Sequence, residues 1–251
     1  MKTNSLNPDL IVRDAGGGRV TRTQNGYLLE IPPGDGLHYR LAQLDDYAKS
    51  RRTDFAHRPS LSLSLRARAS ANSIPGTWGF GLWNDPFGLS IGFGGNPFRP
   101  PALPNAIWFF HASAENYLSF KDKPENGFLA QAFHSPNFPL LPLAHAGLSF
   151  PFSRVRTREV MGKIIEEDGV RLSVDVIEWH RYRLDWSPKR SAFWVDEALM
   201  LETPVSPRPP LGLVIWIDNQ YMAFTPEGKI GFGVLENTEP AWLEVKDLVL
   251  E

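Results

Sequence analysis

The clearest pattern in the chain is a strict alternation. From Ser60 to Ala69 the leucines and alanines fall on one set of positions and the serines and arginines on the other. A period of two over ten residues predicts a β-strand with one buried and one wet face. His180 to Trp186 alternates in the same way, with His180, Tyr182, Leu184 and Trp186 together. Ser187-Pro188-Lys189-Arg190 then predicts a turn. Ala192–Val195 and Ala198–Leu201 follow as short strands around a turn at Asp196-Glu197, which makes an antiparallel meander. Tyr27–Ile31 is a further strand, closed by Pro32-Pro33-Gly34. Leu211–Asp218 is apolar on both sets of positions until Asp218, the pattern of a central strand covered on both sides. Trp242–Leu250 is expected to close the sandwich near the N-terminal strand.

One helix is predicted. Val155, Glu159, Val160, Ile164 and Ile165 approximate a 3.6-residue period between Arg154 and Glu167, and Gly169 follows as a stop. Two segments look irregular: Gly94–Pro104 and the apolar, Pro-rich stretch Phe133–Phe152. Long insertions without regular structure in compact domains are often functional. No internal repeat or linker interrupts the chain, so residues 1–251 are expected to form one β-sandwich domain.

Composition agrees with that expectation. The 22 prolines and 21 glycines break helices and make turns, while eight Trp and 16 Phe suit pleated, half-buried surfaces. At 251 residues the chain can bury a core without staples. It has no cysteine, which excludes thiolate catalysis and Cys-ligated zinc and points to a reducing compartment. A formal charge of -2, with both signs interspersed, is not the footprint of a nucleic-acid binder. No apolar run is long enough to span a bilayer, and Met1–Pro8 has no signal-like apolar core, so a cytoplasmic location is expected.

Trp179-His180-Arg181-Tyr182-Arg183-Leu184-Asp185-Trp186, followed by Phe193-Trp194-Val195-Asp196, resembles a stretch of the family-16 glycoside hydrolases and their lectin-like relatives. Gly76-Thr77-Trp78-Gly79-Phe80-Gly81-Leu82-Trp83 is similar to the strand that precedes the catalytic strand in that family. The resemblance covers roughly residues 60–251. It implies an all-β, two-sheet antiparallel jelly-roll sandwich of the concanavalin A-like kind, with at most one short helix near 154–167. It also implies a groove for carbohydrate. The family's retaining mechanism needs two carboxylates about 5–5.5 Å apart, supplied by a Glu-x-Asp-x-(x)-Glu strand. Here the corresponding strand, Ala106–Ser113, carries no carboxylate. Glu166-x-Asp168 is the nearest literal match; it lacks the last acid and is expected at a helix end.

Several residues are candidates for the groove. Trp216 and Asp218 share a face of one strand, and Gln220 joins them if the strand extends; an aromatic plate beside a carboxylate and an amide suits a sugar. Trp83 and Asp85 share a face in the same way, although Asn84-Asp85-Pro86 is also a turn sequence. Trp108 and His111 lie on opposite faces of their strand, so one of them faces the groove. His111 would be a proton-transfer group, or a core histidine. Glu115 is a further ligand candidate. Asp85, His111 and Asp218 are thus the catalytic candidates, with Trp83, Trp108, Glu115, Trp216 and Gln220 for ligand binding. His57, His134 and His145 are irregularly spaced, so no metal or other cofactor is predicted. The lectin-like resemblance leaves room for a structural calcium, yet no Asp-rich loop signals one. The glycines of Ile91–Asn96 fit a bulge or turn and not a nucleotide loop.

The expected function is recognition of a carbohydrate or glycoside without the family-16 mechanism. The alternative is an enzyme, such as an isomerase, cyclase or divergent hydrolase, acting on a more apolar small molecule beneath a lid at 133–152. The same segment could instead join copies of the chain in a homo-oligomer.

Overall fold

The computed structural model describes residues 10–86, 99–121, 123–136 and 151–251. Two seven-stranded antiparallel sheets form the body. The first runs in the order β1 (Ile11–Ala15), β4 (Leu41–Asp45), β13 (Gly212–Asp218), β6 (Thr77–Trp83), β7 (Ala106–Ala112), β8 (Gly127–His134) and β9 (Glu166–Arg171). The second runs β12 (Ala198–Thr203), β11 (Arg190–Val195), β10 (His180–Ser187), β5 (Leu61–Ala69), β16 (Ala241–Leu250), β3 (Gly26–Ile31) and β2 (Arg19–Arg22). A small hairpin, β14 (Gln220–Phe224) with β15 (Ile230–Val234), stands apart. The all-β, two-sheet jelly roll expected from the sequence is the observed architecture.

The alternating strands bury the set of side chains their period assigns. Leu63, Leu65, Ala67 and Ala69 of β5 and Tyr182, Leu184 and Trp186 of β10 meet Trp78, Phe80, Leu82, Ile107, Phe109, Leu213, Ile215 and Ile217 of the first sheet. This is the inter-sheet core. β13 is central, between β4 and β6, and all seven of its residues are buried. It is apolar on both faces because a second cluster lies on its other side. There, on the outer face of the first sheet, Trp108, Phe110, Val214, Trp216, Leu129 and Phe133 pack with Leu103, Tyr47 and Phe55, and with Met161, Ile164 and Ile165. β16 pairs with both β3 and β5, so the last strand enters the sheet interior beside an N-terminal strand.

The one α-helix among the described residues, α1 (Pro151–Ile164), starts and ends about three residues earlier than expected. The reason is tertiary. Glu167 is buried and accepts from the Ser119 hydroxyl (2.5 Å) and from the Phe120 (3.0 Å) and Lys121 (2.6 Å) N–H groups. Those bonds hold Glu166–Arg171 extended against β8. Glu166 and Asp168 therefore sit on an edge strand and not at a helix end, and Asp168 pairs with Lys123 at 2.9 Å. Most of the Pro-rich stretch expected to be a lid or interface, and the glycines of Ile91–Asn96, lie outside the described residues.

Candidate functional site

Glycine makes the outer face of the first sheet possible. On β6, Trp78, Phe80 and Leu82 point into the inter-sheet core, so Thr77, Gly79, Gly81 and Trp83 point outward. A Cβ on Gly79 would come within 2.9 Å of Trp216 Cη2, and one on Gly81 within 2.6 Å of Trp108 Cβ. Without side chains at these positions, the large rings of β7 and β13 lean over β6. Trp83 and Trp216 stack with centroids 6.0 Å apart and planes within 6°. Trp108 lies 5.9 Å from Trp83 and 5.8 Å from Trp216. Trp108 and Phe110 occupy outward positions of β7, where the resemblance calls for catalytic carboxylates.

Each indole nitrogen has a partner. Trp83 Nε1 donates to the Tyr47 hydroxyl (2.6 Å), Trp108 Nε1 to Gln131 Oε1 (3.3 Å) and Trp216 Nε1 to Thr77 Oγ1 (2.9 Å). Thr77 passes its own proton to Asp218 Oδ1 (2.7 Å). Asp218 also accepts from the Tyr39 hydroxyl (3.3 Å) and from Gln220 N (3.3 Å). Burial pushes the Asp218 carboxyl up to about 7, and the Thr77, Gln220 and Tyr39 bonds only partly offset it. Tyr39, Thr77 and Gln220 are only partly buried, so solvent reaches this cluster from their side. Trp216 and Trp108 are 6% and 5% exposed, so they form a floor and not an open plate. Trp83 is the partly exposed ring of the three.

A second polar group lies along the same face. Gln43 Nε2 donates to Asp45 Oδ2 (2.8 Å), and Arg13 approaches the same oxygen at 3.9 Å. Burial raises the Asp45 carboxyl, against the lowering by Gln43 and Arg13. Gln43 and Asp45 alternate with Ala42 and Leu44 in β4, a signal available in the sequence. Tyr39 and Thr77 announce themselves by no local pattern; only the fold brings them to Asp218.

The other candidates are elsewhere. Asp85 (φ 48°) forms a buried ion pair with Arg99 at 2.6 Å, and its carbonyl accepts from Arg52 at 2.7 Å. Asp218 is opposite Thr77, whereas Asp85 lies beyond Trp83 at the other end of β6. Thr77 to Trp83 alone spans roughly 20 Å of strand. Asp85 and Asp218, two of the catalytic candidates, therefore cannot act together as a carboxylate pair. Asp45 is opposite Val214, four positions from Asp218 along β13, or about 13 Å. That also exceeds the upper limit of roughly 9.5 Å for two glycosidase carboxyls.

His111 faces the inter-sheet core with Ile107 and Phe109. It is 2% exposed and stacks on Trp78 at 5.3 Å and 7°. Burial lowers it to about 4, so it is neutral at pH 7 and remote from any ligand on the outer face. This corrects its catalytic candidacy, and Trp108 is the residue that faces outward. Glu115 is exposed in the turn closed by Asn116 N to Ser113 O. His57 bonds Asp46 (2.5 Å) and His134 bonds the Ser206 carbonyl (2.6 Å). Among the described residues no three His, Asp or Glu side chains converge as metal ligands, and no helix is long and apolar enough to cross a membrane.

No family model and no curated relative matches the chain. Solved structures do. A native glycosidic hydrolase superposes with a TM-score of 0.50 at 14% identity, over 96% of this chain and 88% of that one. An endo-β-galactosidase from Clostridium perfringens that releases GlcNAcα1-4Gal gives 0.49 at 12%, over 96% of this chain and 58% of that one, so this chain spans little more than half its length. The laminarinase catalytic domain from Thermotoga maritima gives 0.48 at 12%, over 92% and 80%. Identities this low speak to fold and not to activity. The chain has a two-sheet antiparallel jelly-roll fold, similar to that of the native glycosidic hydrolase.

Proposed function

We propose that the protein recognises a carbohydrate on the outer face of its first sheet and does not hydrolyse it by a two-carboxylate mechanism. One observation carries this reading: the strand positions that would hold the catalytic pair are Trp108 and Phe110, and neither Asp45 nor Asp85 lies within glycosidase distance of the carboxylate cluster at Asp218. Asp218, Tyr39 and Gln220 offer an acceptor, a hydroxyl and an amide to sugar hydroxyls. Trp83 offers a ring for the apolar face of a sugar, and the indole floor fixes both groups in place. The test is a panel of neutral oligosaccharides titrated calorimetrically into the wild type, Asp218→Asn and Trp83→Ala, with a reducing-end assay in parallel. Binding that weakens at least tenfold in both variants, with no new reducing ends, supports the reading. Release of reducing ends that depends on Asp218 would overturn it.

A second reading has one observation in its favour. The outer face is more apolar than an open polysaccharide cleft requires, with Trp108, Phe110, Leu129 and Phe133 buried alongside residues of α1. An enzyme acting on an apolar small molecule would use that cluster. Competition separates the two: an apolar fluorescent probe displaced by oligosaccharide favours the first reading, and one that is not displaced favours the second.

A further inference from the structure

The outward face of the second sheet carries a feature that the sugar-site reading does not use. Register places Arg181 opposite Arg66, and Arg66 opposite Lys246, in one cross-strand row. Neighbouring strands are about 4.8 Å apart, so three cations share roughly 10 Å of surface. Like charges directly opposite one another destabilise a sheet. The fold only partly relieves this. Arg181 pairs with Glu197 at 3.1 Å, and Arg68, one step along the face, pairs with Glu244 at 2.8 Å. Among the described residues Arg66 and Lys246 have no ion pair. Asp196, the acid within electrostatic reach of Arg66, is already bonded by His180 Nδ1 and Arg181 N.

An aromatic ring holds these cations in place. Lys246 Nζ lies 3.8 Å from the Trp179 ring centroid, with the Arg68 and Arg66 guanidinium carbons at 4.9 and 5.6 Å. The ring quadrupole attracts cations without neutralising them. The row is therefore ordered and still charged, on a chain whose formal net charge is -2.

We propose that this row binds an acidic polysaccharide, with carboxylates of successive sugars lying along Arg181, Arg66 and Lys246. Arginine matches a carboxylate in planar, bidentate geometry. Ser64, next on the same face of β5, adds a hydroxyl for the sugar ring. Single-stranded nucleic acid is disfavoured because cations crowd the Trp179 ring that would stack a base. The site lies on the opposite side of the sandwich from Asp218, and its success or failure is independent of the sugar site proposed above.

The experiment titrates polygalacturonate, a neutral galactan of similar length, a single-stranded oligodeoxynucleotide and phosphatidylcholine/phosphatidylserine vesicles against the full chain. The expected result is selective binding of polygalacturonate, weakened at least tenfold in Arg66→Gln/Lys246→Gln and unchanged in Asp218→Asn. An unchanged melting temperature shows that the double variant is folded; should it not fold, Lys246→Gln alone is expected to weaken binding at least threefold. No binding by the wild type, equal binding by wild type and variant, or oligonucleotide or vesicle binding as tight as that of polygalacturonate would each overturn the proposal.

Discussion

Trp216 Nε1 donates to Thr77 Oγ1 at 2.9 Å, and the same hydroxyl donates onward to Asp218 at 2.7 Å. This relay ties the indole floor to the Asp218 carboxylate cluster on the outer face. Breaking it at the hydroxyl should uncouple the two. Thr77→Val is expected to cost about 1–3 kcal/mol, because the buried indole N–H and the carboxylate each lose a partner. Urea unfolding, with tryptophan fluorescence reporting the ring environment, measures both effects. Wild-type stability in this variant would show that the relay is not structural.

The glycines of β6 give a second prediction. Gly79→Ala would put a methyl 2.9 Å from Trp216 Cη2 and 2.4 Å from the Phe109 carbonyl oxygen. The indole can shift but the backbone cannot easily do so. A loss of about 1–3 kcal/mol is expected, the range for overpacking, with an altered near-UV circular dichroism spectrum from the displaced rings.

Much of this is legible in the sequence. Period two alone places Trp216 with Asp218 and separates Trp108 from His111, and the wet face of Leu61–Ala69 gives β5 its register. What was not legible depended on distant parts of the chain. Tyr39 and Thr77 reach Asp218 across 179 and 141 residues of sequence. Asp85 reads as a groove or turn residue in the sequence, and only the fold brings Arg99 against it. The helix ends earlier than its period predicts because Glu167 is captured by the Ser119–Lys121 turn, a contact that no local propensity encodes.

That capture is itself testable. Glu167→Ala leaves the Ser119 hydroxyl and the Phe120 and Lys121 N–H groups without their acceptor. A cost of roughly 3 kcal/mol is expected for charge-assisted bonds at a buried site. Hydrogen exchange should show faster exchange at Phe120 and Lys121 specifically; an unchanged rate there would contradict the assignment.

His111 and Asp218 should give stability opposite dependences on pH. The folded His111 is lowered to about 4, so the unfolded chain takes up the proton first as pH falls from 6.5. Stability from this residue is full above about 6.5 and is lost toward pH 4, by about 3 kcal/mol. The folded Asp218 is raised to about 7, so the unfolded chain loses its proton first as pH rises from 3.8. Its contribution is full below about 3.8 and is lost toward pH 7. His111→Phe should therefore gain stability relative to wild type as pH falls from 6.5 to 4, and Asp218→Asn as pH rises from 4 to 7. Chemical unfolding at pH 4, 5.5 and 7 measures both slopes.

The claim that Asp218 is the anchor of a sugar site makes the sharpest demand. A carboxylate that accepts from a sugar hydroxyl must be ionised to do so best, and here it ionises near pH 7. The decisive measurement is the affinity of the best-bound neutral oligosaccharide from pH 5.5 to 8.5, for wild type and Asp218→Asn. The account predicts that wild-type affinity rises through a midpoint near 7 and that the variant is at least tenfold weaker and flat. A flat wild-type profile, or a variant that binds as tightly as wild type, would contradict it.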